Sequence, residues 1–176
     1  MKTLFYAIWI LLRKIEGAVM IVTAVILVSL ILIQVALRYV FKLPLMGVEE
    51  LACMTGFWMY MVGSASGARE RNHIKADLVT SFVKNQRVSG SIQAVVSLAT
   101  VVLACIMTSW CWDYVQWSLK SGEKSPALMI PMVYAQTSLL VSSALMSFYF
   151  FVEFIDNVRK AAGYPPLALP ETSNEQ

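Results

Sequence analysis

Three charged residues near the ends of two apolar stretches are the first candidates for chemistry. Arg38 ends one stretch, and Glu49 and Glu50 begin the next after a short turn that contains Pro44 and Gly47. Because the turn brings the two ends together, we predict an ion pair between Arg38 and one of the glutamates. Two alternatives stay open. In the first, one glutamate binds a partner protein instead of Arg38. In the second, all three side chains extend into the lipid headgroups.

A second polar cluster lies between the second and third apolar stretches. Its members are Arg69, Arg71, His73, Lys75 and Asp77. The basic residues are typical of a solvated basic face at an anionic lipid surface. His73 is the only histidine, which disfavours a bis-histidine haem site or a zinc site. Its i, i+4 spacing from Asp77 favours a capping or tethering role, because a proton relay would need a carboxylate at membrane depth.

The composition indicates an integral membrane protein. Of the 176 residues, 58% are hydrophobic and only 14% are charged. A soluble domain of this size has about a quarter charged residues, so too little polar surface is present to cover a globule in water. Nucleic-acid binding is disfavoured because the basic residues flank apolar segments and form no single stripe.

The apolar stretches predict an all-α membrane protein, since helices satisfy their own backbone groups in lipid. The amino-terminal segment is expected to form an additional helix at the membrane surface or a long tilted entry into the first span, with a bend near residues 13–17. Residues 68–87 are expected to form an amphipathic cytoplasmic connector helix. Residues 1–160 are expected to form a single four-helix transmembrane domain, and residues 161–176 are expected to form a flexible cytoplasmic tail. The four predicted transmembrane helices cover about residues 15–38, 48–67, 88–112 and 130–154.

The second predicted span has an unusually small-sided face. Gly56, Gly63 and Gly67 lie in it, and the last two form a GxxxG pattern that favours close helix packing in membranes. The middle parts of the first, third and fourth spans contain no ionisable side chain other than cysteine thiols. A transport path is expected to contain a charge at membrane depth or a broken helix, so this chain alone is not predicted to form one.

The distribution of lysine and arginine predicts the orientation. Ten of these residues lie in the two terminal segments and the middle connector, against four near the two hairpin tips. The positive-inside rule therefore places both termini and the connector in the cytoplasm.

Two groups of residues resemble a known family. The matching residues are Arg38, Glu49, Glu50, Arg69, His73, Ile74 and Asp77, followed by Ser125, Pro126, Ile130, Pro131 and Met132. In this order, with four spans, they resemble the small membrane (DctQ-like) subunit of tripartite ATP-independent periplasmic (TRAP) transporters. The resemblance covers nearly the whole chain.

The resemblance implies a role as a scaffold in the bacterial inner membrane. The implied partners are a large multi-span subunit, which contains the transport path and sodium sites, and a periplasmic substrate-binding protein. The binding protein delivers an organic acid of the sialic acid or C4-dicarboxylate class. The small subunit stabilises the large one and helps to dock the binding protein, contacts membrane lipids, is not an enzyme and needs no cofactor.

Two other functions compete with this prediction. A self-sufficient small multidrug or proton-coupled exporter, acting as a dimer, would need a membrane-centred carboxylate, but Glu49 and Glu50 lie near a helix end. A membrane redox enzyme is disfavoured by the single histidine and by Cys53, Cys105 and Cys111, which form no CxxC pair.

Overall fold

The computed structural model describes residues 2–43, 45–70 and 86–164, and the regular elements in these ranges are helices. Three of them contain a segment that is long and apolar enough to cross a membrane: Tyr6–Tyr39, Ser91–Ser121 and Val133–Ala161. The predicted helical class is therefore confirmed. The four helices are α1 (Lys2–Tyr39), α2 (Met46–Arg69), α3 (Gln86–Ser121) and α4 (Val133–Ala161).

The second predicted span, α2, is not among the apolar segments. Its 24 residues include Glu49, Glu50 and a run of glycine and serine before Arg69, which lower its hydropathy. It therefore remains a predicted span, and it depends more than the other helices on polar and packing contacts with its neighbours.

The amino-terminal segment does not form a separate helix. The chain is helical without interruption from Lys2 to Tyr39, through the region where we expected a bend. The physical reason is that α1 has buried side chains on both sides of residues 13–15. Trp9 and Glu16 are both 2% exposed, and their spacing of seven residues places them on one helix face.

A left-handed turn ends α1 and starts the hairpin with α2. Lys42 has a φ of 55°, and the Leu43 N–H donates to the Leu37 carbonyl oxygen at 3.0 Å. This bond satisfies one of the last carbonyl oxygens of α1, which have no partner within the helix. Helix α2 then begins at Met46, so α1 and α2 form the antiparallel hairpin that the short turn predicted.

The helices pack mainly in the order α1, α2, α4, α3, which is an open row. Small apolar residues of α2 meet aromatic residues of both neighbours in one buried core, formed by Trp9, Ala65, Ala68, Tyr149 and Val152. At the edge of the row, none of the residues in the most apolar stretch of α1 is buried. This stretch is available to lipid or to another protein.

The α3–α4 hairpin is longer than predicted, because α3 continues past Trp112 to Ser121. Gly122 ends it with a φ of 63°, a conformation that glycine adopts at little cost. An antiparallel bridge between Lys124 and Pro131 closes the following turn, and a 2.9 Å hydrogen bond between the Thr108 and Ser147 hydroxyls joins the two helices further along.

Candidate functional site

One end of α2 is held by a buried ion pair. Arg69 Nε donates to Glu16 Oε2 of α1 at 2.9 Å, and the two side chains are only 3% and 2% exposed. The Tyr149 hydroxyl of α4 donates to the other carboxylate oxygen of Glu16. Arg69 Nη2 also donates to Ser66 Oγ at 3.0 Å. We call Glu16, Ser66, Arg69 and Tyr149 the ionic cluster. It connects three helices through charge-assisted hydrogen bonds.

Aromatic packing shields the ionic cluster from solvent. The rings of Trp9 and Tyr149 meet edge to face, with centroids 5.3 Å apart and an interplanar angle of 73°. On α2, Ala65 and Ala68 are small enough to allow this approach and are themselves buried. A salt bridge in such surroundings has lost most of its hydration, so the loss of either partner leaves an uncompensated charge.

The structure corrects the prediction for Arg69 and adds residues that sequence reasoning missed. We expected Arg69 on a solvated basic face, whereas it is buried against Glu16. Glu16 was not singled out as a candidate, and neither was Tyr149. The spacing of Trp9 and Glu16 was a usable signal, because it places a carboxylate beside a large aromatic residue on one face of α1.

The other end of α2 contacts the turn between α3 and α4. Glu50 Oε2 accepts from Ser125 Oγ at 2.7 Å and from the Leu128 N–H at 2.9 Å. Glu50 Oε1 accepts from the Ala127 N–H at 2.7 Å. We call Glu50, Ser125, Ala127 and Leu128 the turn cluster. Three donors on one side chain suit an ionised carboxylate, which has only acceptors.

The turn that binds Glu50 is fixed by its own backbone. The Ser125 N–H donates to the Ile130 carbonyl oxygen at 2.8 Å, and the Met129 N–H donates to the Ser125 carbonyl oxygen at 3.1 Å. Ser125 is 1% exposed. Met129 has a φ of 55°, a left-handed conformation that costs energy for a residue with a side chain. This strained residue directly follows Ala127 and Leu128, whose N–H groups donate to Glu50.

Two further contacts bring α2 close to this turn. A Cβ atom on Gly47 would lie 2.7 Å from Leu128 Cδ2, so glycine at this position permits the close approach. Trp58 Nε1 donates to the Tyr134 carbonyl oxygen at 3.0 Å, next to the start of α4. The first three turns of α2 are therefore attached to the α3–α4 hairpin rather than to α1 through polar contacts.

The predicted ion pair of Arg38 with Glu49 or Glu50 is wrong for the part of the chain that the structure describes. No salt bridge joins Arg38 to Glu49 or Glu50 among the described residues, and Arg38 is exposed. The reason is that Glu50 faces the α3–α4 turn, whose three donors already surround its carboxylate. Glu49 is exposed one position away on the helix, and its use by a partner protein stays a prediction.

The predicted glycine face of α2 makes no close helix contact within the described chain. A Cβ atom placed on Gly56, Gly63 or Gly67 would meet no atom of another element within 4 Å. Gly63 and Gly67 lie on the same side of α2 as Tyr60, which is 68% exposed, and away from the buried Val62 and Ala65. Gly56 is on that side too but is itself buried. Space therefore remains beside Gly63 and Gly67.

Comparison with protein families decides what kind of chain this is. A family model described as "Tripartite ATP-independent periplasmic transporters, DctQ component" matches residues 27–160. That range covers well over half of the chain. The chain belongs to the DctQ family. The resemblance drawn from the sequence motifs is thereby confirmed, and no curated protein matches the chain.

Membership of the DctQ family determines the general role. DctQ proteins are transporter components and not enzymes, and they work in a three-part complex with a large membrane subunit and a periplasmic binding protein. The matched range contains the whole turn cluster and, in the ionic cluster, Ser66, Arg69 and Tyr149. Glu16 and Trp9 precede it. The turn cluster is therefore entirely within the region that matches the DctQ family.

Four members of the predicted cytoplasmic cluster, Arg71, His73, Lys75 and Asp77, lie outside the described residues. The same is true of most of the predicted connector helix and of the tail beyond Tyr164. Their proposed roles remain predictions from the sequence.

Proposed function

We propose that this DctQ chain is the static scaffold subunit of a sodium-coupled TRAP transporter that imports an organic acid of the sialic acid or C4-dicarboxylate class. It stabilises the large transport subunit and helps to dock the periplasmic binding protein. The observation that supports this most directly is the attachment of α2 at both ends. Glu50 binds the α3–α4 turn, and Arg69 binds Glu16 beneath Tyr149.

The position of the charges also supports a scaffold. Residues 51–68 between the two clusters contain no charged side chain, and the same holds for residues 17–37, 88–112 and 130–152 of the other helices. The charges of α2 are thus used to fix helices to one another at their ends. A proton- or ion-coupled exporter needs a charge within the membrane, so this distribution favours the subunit over the alternative exporter.

Uptake by reconstituted transporter tests the proposal. Liposomes containing the large subunit, supplied with the binding protein and a sodium gradient, should take up labelled sialic acid or succinate only when this chain is also present. The large subunit without the chain is the direct comparison, and dissipation of the sodium gradient is the control for coupling. Equal uptake in the absence of the chain would rule out the scaffold role.

We further propose an inner-membrane location with both termini in the cytoplasm. The support is the charge distribution, which still favours this orientation when the buried Arg69 is left out, with nine cations against four. A protease-cleavable tag on the carboxyl terminus should be removed in inverted membrane vesicles and protected in intact spheroplasts. Cleavage of the tag in intact spheroplasts would place the carboxyl terminus outside the cytoplasm and contradict the proposed orientation.

The glycine face of α2 is the part of this scaffold that we expect to contact the large subunit. A leucine at Gly63 would project into open space in the isolated chain, so its thermal stability should change little. The same side chain should prevent close approach of a partner helix and reduce co-purification of the large subunit. The matched control is Ser64→Leu, which adds a similar volume at the neighbouring, exposed position. Undiminished co-purification of Gly63→Leu would exclude this face.

A further inference from the structure

Two buried polar atoms between α3 and α4 have no hydrogen-bond partner among the described residues. They are Ser118 Oγ and Gln136 Oε1. The side chains belong to residues that are 2% and 6% exposed, so bulk water does not reach them. Buried polar atoms are nearly always satisfied by protein or by ordered water. Neither atom belongs to the turn cluster or the ionic cluster.

The register of the hairpin places these two residues opposite each other. The Thr108 and Ser147 hydroxyls are 2.9 Å apart and fix the alignment of the antiparallel helices. Ser118 lies ten residues beyond Thr108 on α3, and Gln136 lies eleven residues before Ser147 on α4. At 1.5 Å per residue, both positions are about 15–16 Å from the Thr108–Ser147 contact and thus at the same level.

The other half of the Gln136 amide is already engaged. Gln136 Nε2 donates to the Tyr114 hydroxyl at 3.1 Å and to Glu123 Oε2 at 3.4 Å. The Glu123 carboxylate only accepts and therefore requires the nitrogen on its side, so Oε1 points away from it. What remains between the helices is a neutral carbonyl oxygen and a hydroxyl. This pair suits neither a metal ion, which would need a free carboxylate, nor an anion, which would need several donors.

We propose that an ordered water molecule binds between α3 and α4 and bridges Ser118 Oγ to Gln136 Oε1. The water accepts from the serine hydroxyl and donates to the amide oxygen, which satisfies both atoms. Buried waters with such partners are a regular part of protein interiors. This water holds the hairpin together close to the turn that presents Ser125, Ala127 and Leu128 to Glu50. The inference does not depend on the transport role.

The sign of a stability change tests the water site. If the water bridges the two side chains, Ser118→Ala lowers the unfolding temperature of the full chain, because the amide oxygen loses part of its hydrogen bonding. If the hydroxyl has no partner, its removal relieves a buried unsatisfied group and raises that temperature. Ser142→Ala is the matched control, since Ser142 is equally buried and its hydroxyl donates to the Leu139 carbonyl oxygen at 3.3 Å within α4.

A double-mutant cycle separates the bridge from a local bond of Ser118 to its own helix. With a bridging water, Ser118→Ala combined with Gln136→Leu is less destabilising than the sum of the single changes. Additive effects, or a rise in unfolding temperature for Ser118→Ala, overturn the proposal. In a density map that resolves ordered water, we expect a peak within hydrogen-bond distance of both atoms, and a map of that quality without the peak also overturns it.

Discussion

Replacing Arg69 with methionine will destabilise the isolated chain by about 3–5 kcal/mol, the range observed when one partner of a buried ion pair is removed. The Glu16 carboxylate would remain 2% exposed beneath Trp9 and Tyr149 without its guanidinium partner. Glu16→Leu should have an effect of similar size, because it deprives the buried Arg69 guanidinium of the Glu16 carboxylate. The free energy of unfolding in mild detergent or nanodiscs, measured by steric trapping, is the appropriate quantity.

The double variant Glu16→Leu/Arg69→Met distinguishes a buried ion pair from simple loss of packing. Because it removes both charges and retains apolar volume, it should recover a large part of the stability that either single change loses. Arg13→Met is the matched control, since Arg13 is exposed on α1 one turn before Glu16 and should change stability by less than about 0.5 kcal/mol. A double variant as unstable as Arg69→Met would contradict the proposed origin of the effect.

Replacing Glu50 with alanine will release the α3–α4 turn from α2 and weaken assembly with the large subunit. Three donors would lose their acceptor, among them the N–H groups of Ala127 and Leu128. Glu50→Gln is expected to restore little, because an amide has one acceptor oxygen and its NH₂ group would face a donor. Hydrogen exchange should become faster at residues 127 and 128, and less large subunit should be recovered in co-purification.

The neighbouring glutamate provides the control for this effect. Glu49→Ala removes an exposed carboxylate from the same helical turn without touching the turn cluster, so exchange at residues 127 and 128 should stay at the wild-type rate. Arg38→Ala should also leave that exchange unchanged, since Arg38 forms no salt bridge among the described residues. Equal acceleration in the Glu49 and Glu50 variants would show that general charge, rather than the three hydrogen bonds, holds the turn.

The sequence was sufficient to predict the helical class and to single out Glu50 as a candidate, but not to predict the partner of Glu50. A long apolar stretch in lipid satisfies its backbone hydrogen bonds by forming a helix, so the helical class follows from the sequence. Two glutamates at the start of such a stretch are costly there, which identifies them as candidates for a specific contact. The donor residues, however, lie about 75 positions further along the chain. Which turn meets which helix depends on the order of the row, and local patterns do not contain that order.

The ionic cluster was missed for a related reason. Glu16 lies beside Arg13 and Lys14, a spacing that does not distinguish it from an ordinary surface charge, and Arg69 lies in a strongly basic stretch that is typical of a solvated surface. Only the packing of α1 against α2 brings Glu16 and Arg69 to 2.9 Å and buries both. Local charge balance is thus a poor guide to which charge becomes buried.

The open order of the row has a consequence for how the chain is made. Helix α2 packs between α1, which the ribosome has already produced, and α4, which it produces last. When Arg69 leaves the ribosome, its partner Glu16 is present, so the first two helices can associate during translation. Glu50 forms its hydrogen bonds only after the α3–α4 turn, about 75 residues later in the chain, has been synthesised. Synthesis therefore joins the two ends of α2 to their neighbours at different times, and only the arrival of the last two helices completes the row.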